Sequence, residues 1–310
     1  MYYFIVNPQA SSGRGRVIWD KVLRHLNKTH NAENFEAYIT EKSGDARGFA
    51  HELSYKCQEK KTITVIGGEG TLNEVLDGVS MDGNMISLAY IPTKPDNDIA
   101  RSFRRKYNLK AQLNRLFNDS DEVLLDYGVL NCPSMNRRFA VSSGIGLDAA
   151  IFHDLYDERC ACQQKKSRFY RIKQFSYFKT FMREFIRLKP TRGYVVLDGE
   201  KRHEFNNILF MSAHVHPYEG GYKVCPEASG KDGRLDICIV STKHKWRLFF
   251  IMFSSVFGKH VTRTGVHLYK CKEAEIHTAR ALPVHVDGED VGKQSDFTLT
   301  CIPQKLKLRI

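Results

Sequence analysis

The sequence lacks any apolar run long enough to cross a lipid bilayer and any cysteine pattern that predicts a disulfide framework. Its longest apolar run, residues 248–253, is far shorter than the ~20 residues that a transmembrane helix needs. The apolar residues 1–6 lack the basic start of a secretory signal and run directly into Asn7 and Pro8. Eight cysteines are scattered along the chain, which is typical of free thiols. These absences predict a cytoplasmic protein.

Acidic residues are scarce relative to basic ones, and the excess of positive charge is concentrated in one segment. The chain carries a net charge of +12, and residues 159–192 contain eleven Lys or Arg and a single acid, Glu184. Apolar residues recur in the same segment at helical steps of three and four: Ile172, Phe175, Phe178, Phe181, Met182, Phe185 and Ile186. A basic, aromatic, amphipathic helix suits an anionic membrane surface, so we expect peripheral membrane association. The alternative is a helix whose apolar stripe lies in the core and whose charges are solvated. No nucleic-acid recognition module accompanies the charge, so no nucleic-acid partner is expected.

The pattern of elements changes near residue 125. Before it, strand and helix alternate, which favours a doubly wound parallel sheet with ligands at the carboxyl ends of its strands. After it, short strands and Asp-Gly turns predominate, which predicts a mostly antiparallel β-sandwich with inserted helices. We therefore predict an α/β nucleotide-binding domain over residues 1–125 and a β-rich substrate domain over residues 126–310. The extreme C-terminus could pack back on the first domain. The sequence does not decide the oligomeric state, and it is compatible with a homodimer.

A glycine-rich turn follows the apolar run at residues 63–66. It has neither the Gly-Lys-Ser/Thr ending of a Walker loop nor the Gly-x-Gly-x-x-Gly order of a dinucleotide fold. Glycine lets the backbone approach an anion closely, and the N–H groups of a following helix would point at that anion. The turn therefore predicts a phosphate site, in which the phosphates are surrounded by Gly67, Gly68, Gly70, Thr71 and Asn73. The acidic Glu69 within the turn suggests an interaction with a metal ion or a hydroxyl group.

The segment VIGGEGTLNEV at residues 65–75 resembles the GGDGTLNEV signature of the diacylglycerol kinase catalytic family, which includes bacterial lipid kinases and the sphingosine and ceramide kinases. Six further segments are similar to family motifs in the same order: 7–13, 40–46, 97–101, 144–149, 232–236 and 287–289. The resemblance implies transfer of the γ-phosphoryl group of ATP to a lipid hydroxyl in the presence of Mg²⁺. Diacylglycerol is the expected acceptor, presented at an anionic membrane surface.

The resemblance also implies roles for individual residues. Asn7, Ser11 and Thr40 would contact the nucleotide, and Glu69, Asp98 and Asp126 would organise catalytic Mg²⁺. Asp287 matches the family's general base. Ser229, Asp232 and Arg234 resemble a second, structural Mg²⁺ site, in which the Asp side chain and neighbouring carbonyl groups bind the ion.

Two departures from the family pattern bear on activity. Glu69 stands where the family has Asp, and the extra methylene moves the carboxylate by about 1.5 Å, a displacement that can cost a hundredfold in rate. Lys94 and Pro95 replace the Gly and Thr of a second motif, although Lys94 could supply a cation to the phosphates. Two alternatives therefore stay open: a catalytically weak relative that binds nucleotide or lipid as a sensor or scaffold, and an enzyme similar to the NAD kinases, which share the glycine loop.

Overall fold

The computed structural model describes residues 2–28, 35–56, 59–81, 85–94, 97–103, 108–116, 122–154 and 173–309, and for residues 115 and 173–178 the backbone only. The chain divides into two compact units. The first comprises Met1–Tyr127, Gly230–Asp232 and Ile302–Ile310, and the second comprises Gly128–Ser229 and Gly233–Cys301.

In the first unit, strands alternate with helices, as the sequence predicts. The elements are β1 (Tyr2–Val6), α1 (Ala10–Lys28), β2 (Phe35–Ile39), α2 (Asp45–Lys56), β3 (Lys61–Gly67), α3 (Glu69–Gly78), β4 (Ile86–Pro92), α4 (Asp98–Ser102) and α5 (Leu109–Leu116). The sheet has the order β2-β1-β3-β4, and all its pairs are parallel. Every residue of β3 is buried, as expected of a parallel strand covered on both faces. Helix α3 begins at Glu69, so Glu69, Gly70 and Thr71 lie in its first turn.

Helices pack on this sheet through apolar stripes. Helix α1 buries Ile18, Val22 and Leu26, which are spaced four residues apart on one face. Phe4 and Ile66 of the sheet belong to the same core cluster. The loop that precedes α1 is fixed by a glycine, since a Cβ on Gly15 would lie 1.9 Å from the carbonyl oxygen of Asn7. Glycine at position 15 therefore allows α1 to pack closely against the residue that follows β1.

The second unit is built mostly of antiparallel strands. Its elements are β5 (Glu122–Cys132, which begins in the first unit), β6 (Met135–Phe139), β7 (Ser142–Gly146), a helix α6 over residues 147–154, α7 (Lys173–Arg187), β8 (Thr191–Leu197), β9 (Lys201–His214), β10 (Leu235–Ser241), α8 (Lys245–Ser255), β11 (Val266–Cys271), β12 (Glu273–Val286) and β13 (Glu289–Arg309). The strand order is β11-β10-β9-β7-β12-β13. Strand β8 pairs with β9 and β12, and β6 pairs with β5. This unit is the predicted β-rich part of the chain with inserted helices.

The last strand returns to the first unit. Leu308 and Arg309 of β13 pair in parallel with Leu88 and Ala89 of β4. Arg309 is buried and donates to the carbonyl of Leu116 at 3.0 Å, and its guanidinium lies 3.6 Å from the carboxylate of Glu122. These contacts fix the end of β13 to the parallel sheet.

In the amphipathic segment at residues 159–192, some of the described apolar residues are buried in the core and others are exposed to solvent. Phe181 and Phe185 are buried in a cluster with Leu248 and Ile251 of α8, whereas Ile186 is 70% exposed. Residues 159–172 of the basic segment lie outside the described part of the chain. The stripe therefore serves the core at Phe181 and Phe185, in agreement with the alternative interpretation at those two positions. Among the helices that the structure describes, none has both the length and the apolar character needed to cross a bilayer.

Candidate functional site

In the first unit, the predicted phosphate site lies at the carboxyl ends of the parallel strands. β3 ends at Gly67, and α3 begins at Glu69 with Gly68 as its N-cap residue. Gly68 has an ordinary φ of −91°, so it does not require the unusual backbone angles that glycine permits. A Cβ on Gly68 would meet no atom within 4 Å, whereas one on Gly67 would lie 2.6 Å from Cβ of Thr71. Gly67 is therefore needed for packing, and Gly68 leaves open space beside the N–H groups that begin a helix.

Polar side chains from two neighbouring loops converge on this turn. Asn7, just after β1, donates through Nδ2 to Oγ1 of Thr71 at 3.1 Å. Ser11 lies in a left-handed stretch at the start of α1, and its hydroxyl is 2.7 Å from that of Thr93. Thr93 is fully buried and donates through both its N–H and its hydroxyl to the carbonyl of Gly67, at 2.9 and 3.1 Å. In the sequence, the only feature that marks Thr93 as a candidate site residue is its position directly after a buried strand.

Thr40 and Asn73 are both buried. Thr40 follows β2 and donates its N–H to the carbonyl of Val6 at 2.9 Å, which places it beside the end of β1. Asn73 lies within α3 with no exposed surface. The predicted contacts of both residues with a nucleotide stay a prediction. Lys94 is exposed after the end of β4, and Pro95 lies outside the described residues.

Glu69 reaches from α3 to the next loop. Its Oε1 accepts the N–H of Asp98 at 2.7 Å, so the first residue of α4 is held against the start of α3. Asn97 caps α4 through the N–H of Ala100 and also donates to the hydroxyl of Tyr90 at 2.8 Å. Burial raises the pKa of Tyr90 well above its usual value, and the Glu69 carboxylate adds to that shift. The structure thus brings Glu69 and Asp98 together, as the sequence predicts.

Asp126 is fully buried in β5. Its Oδ1 accepts the N–H of Gln304 at 2.8 Å, and its own N–H donates to the carbonyl of Gly230 at 2.8 Å. These contacts join three segments of the first unit, so Asp126 has a structural role that the sequence did not reveal. Its predicted role at a metal ion stays a prediction.

The residues of the predicted structural metal site are divided between the two units. Asp232 belongs to the first unit, and Ser229 and Arg234 belong to the second. Gly233 between them has a φ of 68°. The carbonyl of Lys231 accepts from the side chain of Gln304 at 3.4 Å, which fixes this short segment in the first unit. The proposed coordination by these residues stays a prediction.

Asp287 lies in the second unit, in the hairpin turn between β12 and β13. Its φ is 47°, and Gly288 follows with a φ of 80°. The carboxylate accepts three backbone N–H groups, from Ala140 at 2.7 Å and from Val141 and Ser142 at 2.9 Å each. The sequence predicted the turn and the carboxylate, but not that the loop between β6 and β7 would fix its orientation.

A second acidic cluster lies next to Asp287 in the same unit. Nε2 of His285 is 2.9 Å from Oδ2 of Asp148 and 3.2 Å from Oε1 of Glu219. Ser142, which donates its N–H to Asp287, donates its hydroxyl to Glu219 at 2.6 Å. Burial alone would lower the pKa of His285, but the two carboxylates outweigh it and raise the pKa to about 9. No local sequence pattern marks this cluster; its only signals are that Asp148 lies in the glycine motif at residues 144–149 and that His285 lies two residues before Asp287.

The ligand atoms of Asp148, Glu219 and His285 lie within 4.8 Å of one another and could hold a divalent metal ion. The proton shared by His285 with the carboxylates competes with a metal ion for the same atoms. His214 and His216 are buried nearby. Oε2 of Glu219 lies 3.5 Å from Nε2 of His214.

An apolar cavity adjoins this cluster. The cavity is partly open to solvent, and Asp148 and Glu219 lie in its wall. The remaining wall is mostly apolar and includes Ile151, Phe210, Val240, Leu248, Ile251 and Met252. An apolar space bordered by carboxylates suits a ligand with a hydrocarbon part and a hydroxyl-bearing end. Its residues come from α6, β9, β10 and α8, so the sequence could not distinguish them from core.

Two protein-family models together match most of the chain. Residues 1–127 match the diacylglycerol kinase catalytic domain, and residues 155–310 match the YegS C-terminal NAD kinase beta sandwich-like domain. A Bacillus subtilis protein named "Putative lipid kinase YtlR" is 29% identical, with 99% of each chain covered. The Bacillus subtilis diacylglycerol kinase is 24% identical, with 92% of this chain and 88% of the relative covered.

Solved structures share the fold. A diacylglycerol kinase from Bacillus anthracis matches with a TM-score of 0.69 at 19% identity, over 99% of this chain and 96% of the other. An NAD kinase from Archaeoglobus fulgidus, solved in complex with ATP, matches with a TM-score of 0.52 at 10% identity, over 100% of this chain and 94% of the other. Residues 1–127 are thus a diacylglycerol kinase catalytic domain, and the chain belongs to the family of lipid kinase relatives in which this domain is followed by the YegS C-terminal domain.

Proposed function

We propose that this protein is an ATP- and Mg²⁺-dependent lipid kinase that phosphorylates the hydroxyl of diacylglycerol, giving phosphatidic acid. The observation that carries the proposal is the open space at Gly68, where the start of α3 and the polar loops of Asn7 and Ser11 meet. Relatives named diacylglycerol kinase support the choice of reaction.

The geometry of the first unit supports the proposal of nucleotide binding. The N–H groups at the start of α3 would hold phosphate oxygens in the space beside Gly68. Thr71, held by Asn7, and Ser11, held by Thr93, would add hydroxyl groups at its edge. The exposed cation Lys94 would attract the phosphates from the end of β4.

Mg²⁺ suits the residues that are present, because carboxylate oxygens are its preferred protein ligands. Glu69 and Asp98 lie together, with one carboxylate oxygen of Glu69 bonded to the Asp98 backbone, and they are the residues that would hold the ion. The bound ion would neutralise charge that develops on the transferred phosphoryl group. Asp287 would take the proton of the acceptor hydroxyl, and the three backbone N–H groups hold its carboxylate in one orientation for that step.

The acceptor is proposed to be a lipid because of the cavity in the second unit. Its apolar wall would hold hydrocarbon, and Asp148 and Glu219 would accept hydrogen bonds from the polar end of the molecule. Such a substrate resides in a membrane, so we also propose that the protein associates peripherally with an anionic membrane surface.

One observation favours a second candidate function. Oε1 of Glu69 is occupied by the N–H of Asp98, which leaves that oxygen less free for a metal ion. A protein that binds nucleotide or lipid as a sensor or scaffold, without turnover, would tolerate this arrangement.

The test is transfer of radiolabelled phosphate from ATP to diacylglycerol, monoacylglycerol, ceramide or sphingosine in detergent micelles, with NAD as a further acceptor. We expect Mg²⁺-dependent labelling of diacylglycerol that is lost on chelation. Glu204→Gln is the matched control, since the Glu204 side chain is 71% exposed on β9. Labelling of NAD instead of lipid would indicate an NAD kinase. Tight ATP binding without transfer to any acceptor would favour the sensor and contradict the kinase.

A further inference from the structure

Helix α8 exposes a row of large aromatic side chains. Trp246, Phe250, Phe253 and Phe257, which we call the aromatic ridge, are 66%, 57%, 67% and 66% exposed. They are spaced by four, three and four residues, so the three on α8 share one face of the helix and Phe257 extends that face into the turn that follows. The ridge is therefore one continuous surface and not a set of scattered apolar residues.

Neighbouring side chains enlarge this surface. The rings of Phe253 and Phe257 are 6.5 Å apart, and the ring of Trp246 lies 5.7 Å from that of Phe185 at the end of α7. Ile186, 70% exposed, is joined to the start of α8 by a hydrogen bond of 2.8 Å from Lys245 to its carbonyl. Contiguous exposed apolar surface of this kind marks an interaction site in a folded protein.

The charge around the ridge identifies the partner. Residues 237–272 contain seven Lys or Arg and no Asp or Glu. Lys243, Arg247 and Lys259 are exposed; in the sequence the first precedes the ridge, the second lies within it and the third follows it. Aromatic rings between solvated cations match the interface of an anionic bilayer, where the rings reach the acyl boundary and the cations meet the headgroups.

The same charge disfavours a second copy of this chain as the partner. A two-fold dimer would place the ridge against itself and would bring the exposed cations Lys243, Arg247 and Lys259 close to the same cations of the other copy. The length of α8 also fits a surface position: its 11 residues extend about 16 Å, roughly half of the hydrocarbon core of a bilayer.

We propose that the aromatic ridge docks the protein on an anionic lipid bilayer, with α8 lying in the plane of the interface. The opposite face of α8 contributes Leu248, Ile251 and Met252 to the wall of the apolar cavity. Docking through the ridge would bring that wall to the membrane surface. The inference deepens the proposed lipid kinase function by assigning its membrane contact, but vesicle binding itself requires no catalysis.

The experiment measures binding of the full chain to vesicles without ATP. Vesicles of phosphatidylcholine alone are compared with vesicles containing 30% phosphatidylglycerol, by sedimentation and by tryptophan fluorescence. The chain has two tryptophans, and Trp246→Phe assigns the signal, because a blue shift from the ridge must vanish in that variant. We expect binding to the anionic vesicles and a decrease at high salt, since exposed charges are screened within about 10 Å at 0.1 M.

The double variant Phe250→Ser with Phe253→Ser tests the ridge directly. Both rings are more than half exposed, so the fold should persist. Removing both should weaken partitioning onto anionic vesicles by at least about tenfold, given the apolar area each ring would bury. Leu268→Ser is the matched control, because Leu268 is 42% exposed on β11 of the same unit and should leave partitioning unchanged.

Three results would overturn the inference: equal binding to neutral and anionic vesicles, unchanged partitioning of the double variant, or a dimer in solution that the double variant disrupts without loss of vesicle binding. The last result would mean that a second copy covers the ridge. Failure of the proposed function is measured separately, with a short-chain diacylglycerol that is soluble in water. No transfer to that acceptor, together with ridge-dependent vesicle binding, would reject the kinase and retain the docking surface.

Discussion

Replacing Asp287 with Asn should abolish turnover, and the structure indicates that it should also cost stability. Oδ1 of Asp287 accepts the N–H groups of Val141 and Ser142, and Oδ2 accepts that of Ala140. The amide oxygen of Asn can keep the first two bonds, but its NH₂ group then faces the N–H of Ala140. Losing one charge-assisted bond and opposing two donors should cost about 2–4 kcal/mol of unfolding free energy.

The loss of unfolding free energy is measured by urea unfolding of the wild-type protein and the Asp287→Asn variant, with a signal that reports on the second unit. Turnover is then assayed at a temperature at which both are folded. We expect kcat to fall by at least about a hundredfold, because a general base contributes on that scale, while ATP affinity stays within a few-fold.

A second Asp-Gly turn provides the control. Asp198 has a φ of 51°, and its Oδ1 accepts the N–H groups of Lys272 and Glu273 at 2.7 and 2.9 Å. Asp198→Asn therefore makes the same substitution in the same kind of turn, away from the acidic cluster, and should leave kcat within about twofold, since surface changes of this kind have small effects. Full activity of Asp287→Asn, or an equal loss of kcat in both variants, would refute the assignment of Asp287 as the base.

Further predictions concern the glycine turn, the metal-binding acid and the buried histidines. Gly68→Ala should weaken ATP binding more than tenfold with an intact circular dichroism spectrum, because its Cβ would occupy the open space proposed for the phosphates. Gly67→Ala should instead destabilise the fold, because its Cβ would contact Thr71. Unchanged ATP affinity of Gly68→Ala would reject the phosphate site. Glu69→Asp restores the family's carboxylate and should keep or raise kcat, and a hundredfold loss would show that the reach of Glu69 to the Asp98 N–H is required. Burial lowers the pKa of His214 to about 3 and that of His216 to about 4, so the stability from keeping them neutral is present above pH 6.5 and is lost as pH falls toward 4. The loss should be on the order of 3 kcal/mol per histidine at pH 4, and His216→Gln should flatten the acid side of a melting-temperature profile; an unchanged profile would contradict a neutral, buried His216.

The sequence determined the elements that depend on local pattern. The alternation of strand and helix, the buried run before Gly67 and the Asp-Gly turn at Asp287 each follow from residues close together in the chain, and the structure has them where they were expected. The positions of Asn7, Thr40 and Gly68 were also predictable, because parallel strands bring their carboxyl ends to one edge.

Tertiary structure alone decided which side chains meet and which are covered. Asp148 and His285 are 137 positions apart, and their contact depends on the pairing of β7 with β12, which no local pattern specifies. Phe181 belongs to the apolar stripe and Phe253 to the longest apolar run of the sequence, yet one is 9% and the other 67% exposed. A helical period shows that a face is apolar but not what packs against it, and burial is a property of the partner surface. The sequence thus determined the fold class and the glycine turn, and packing decided where the acidic cluster, the cavity and the exposed ridge lie.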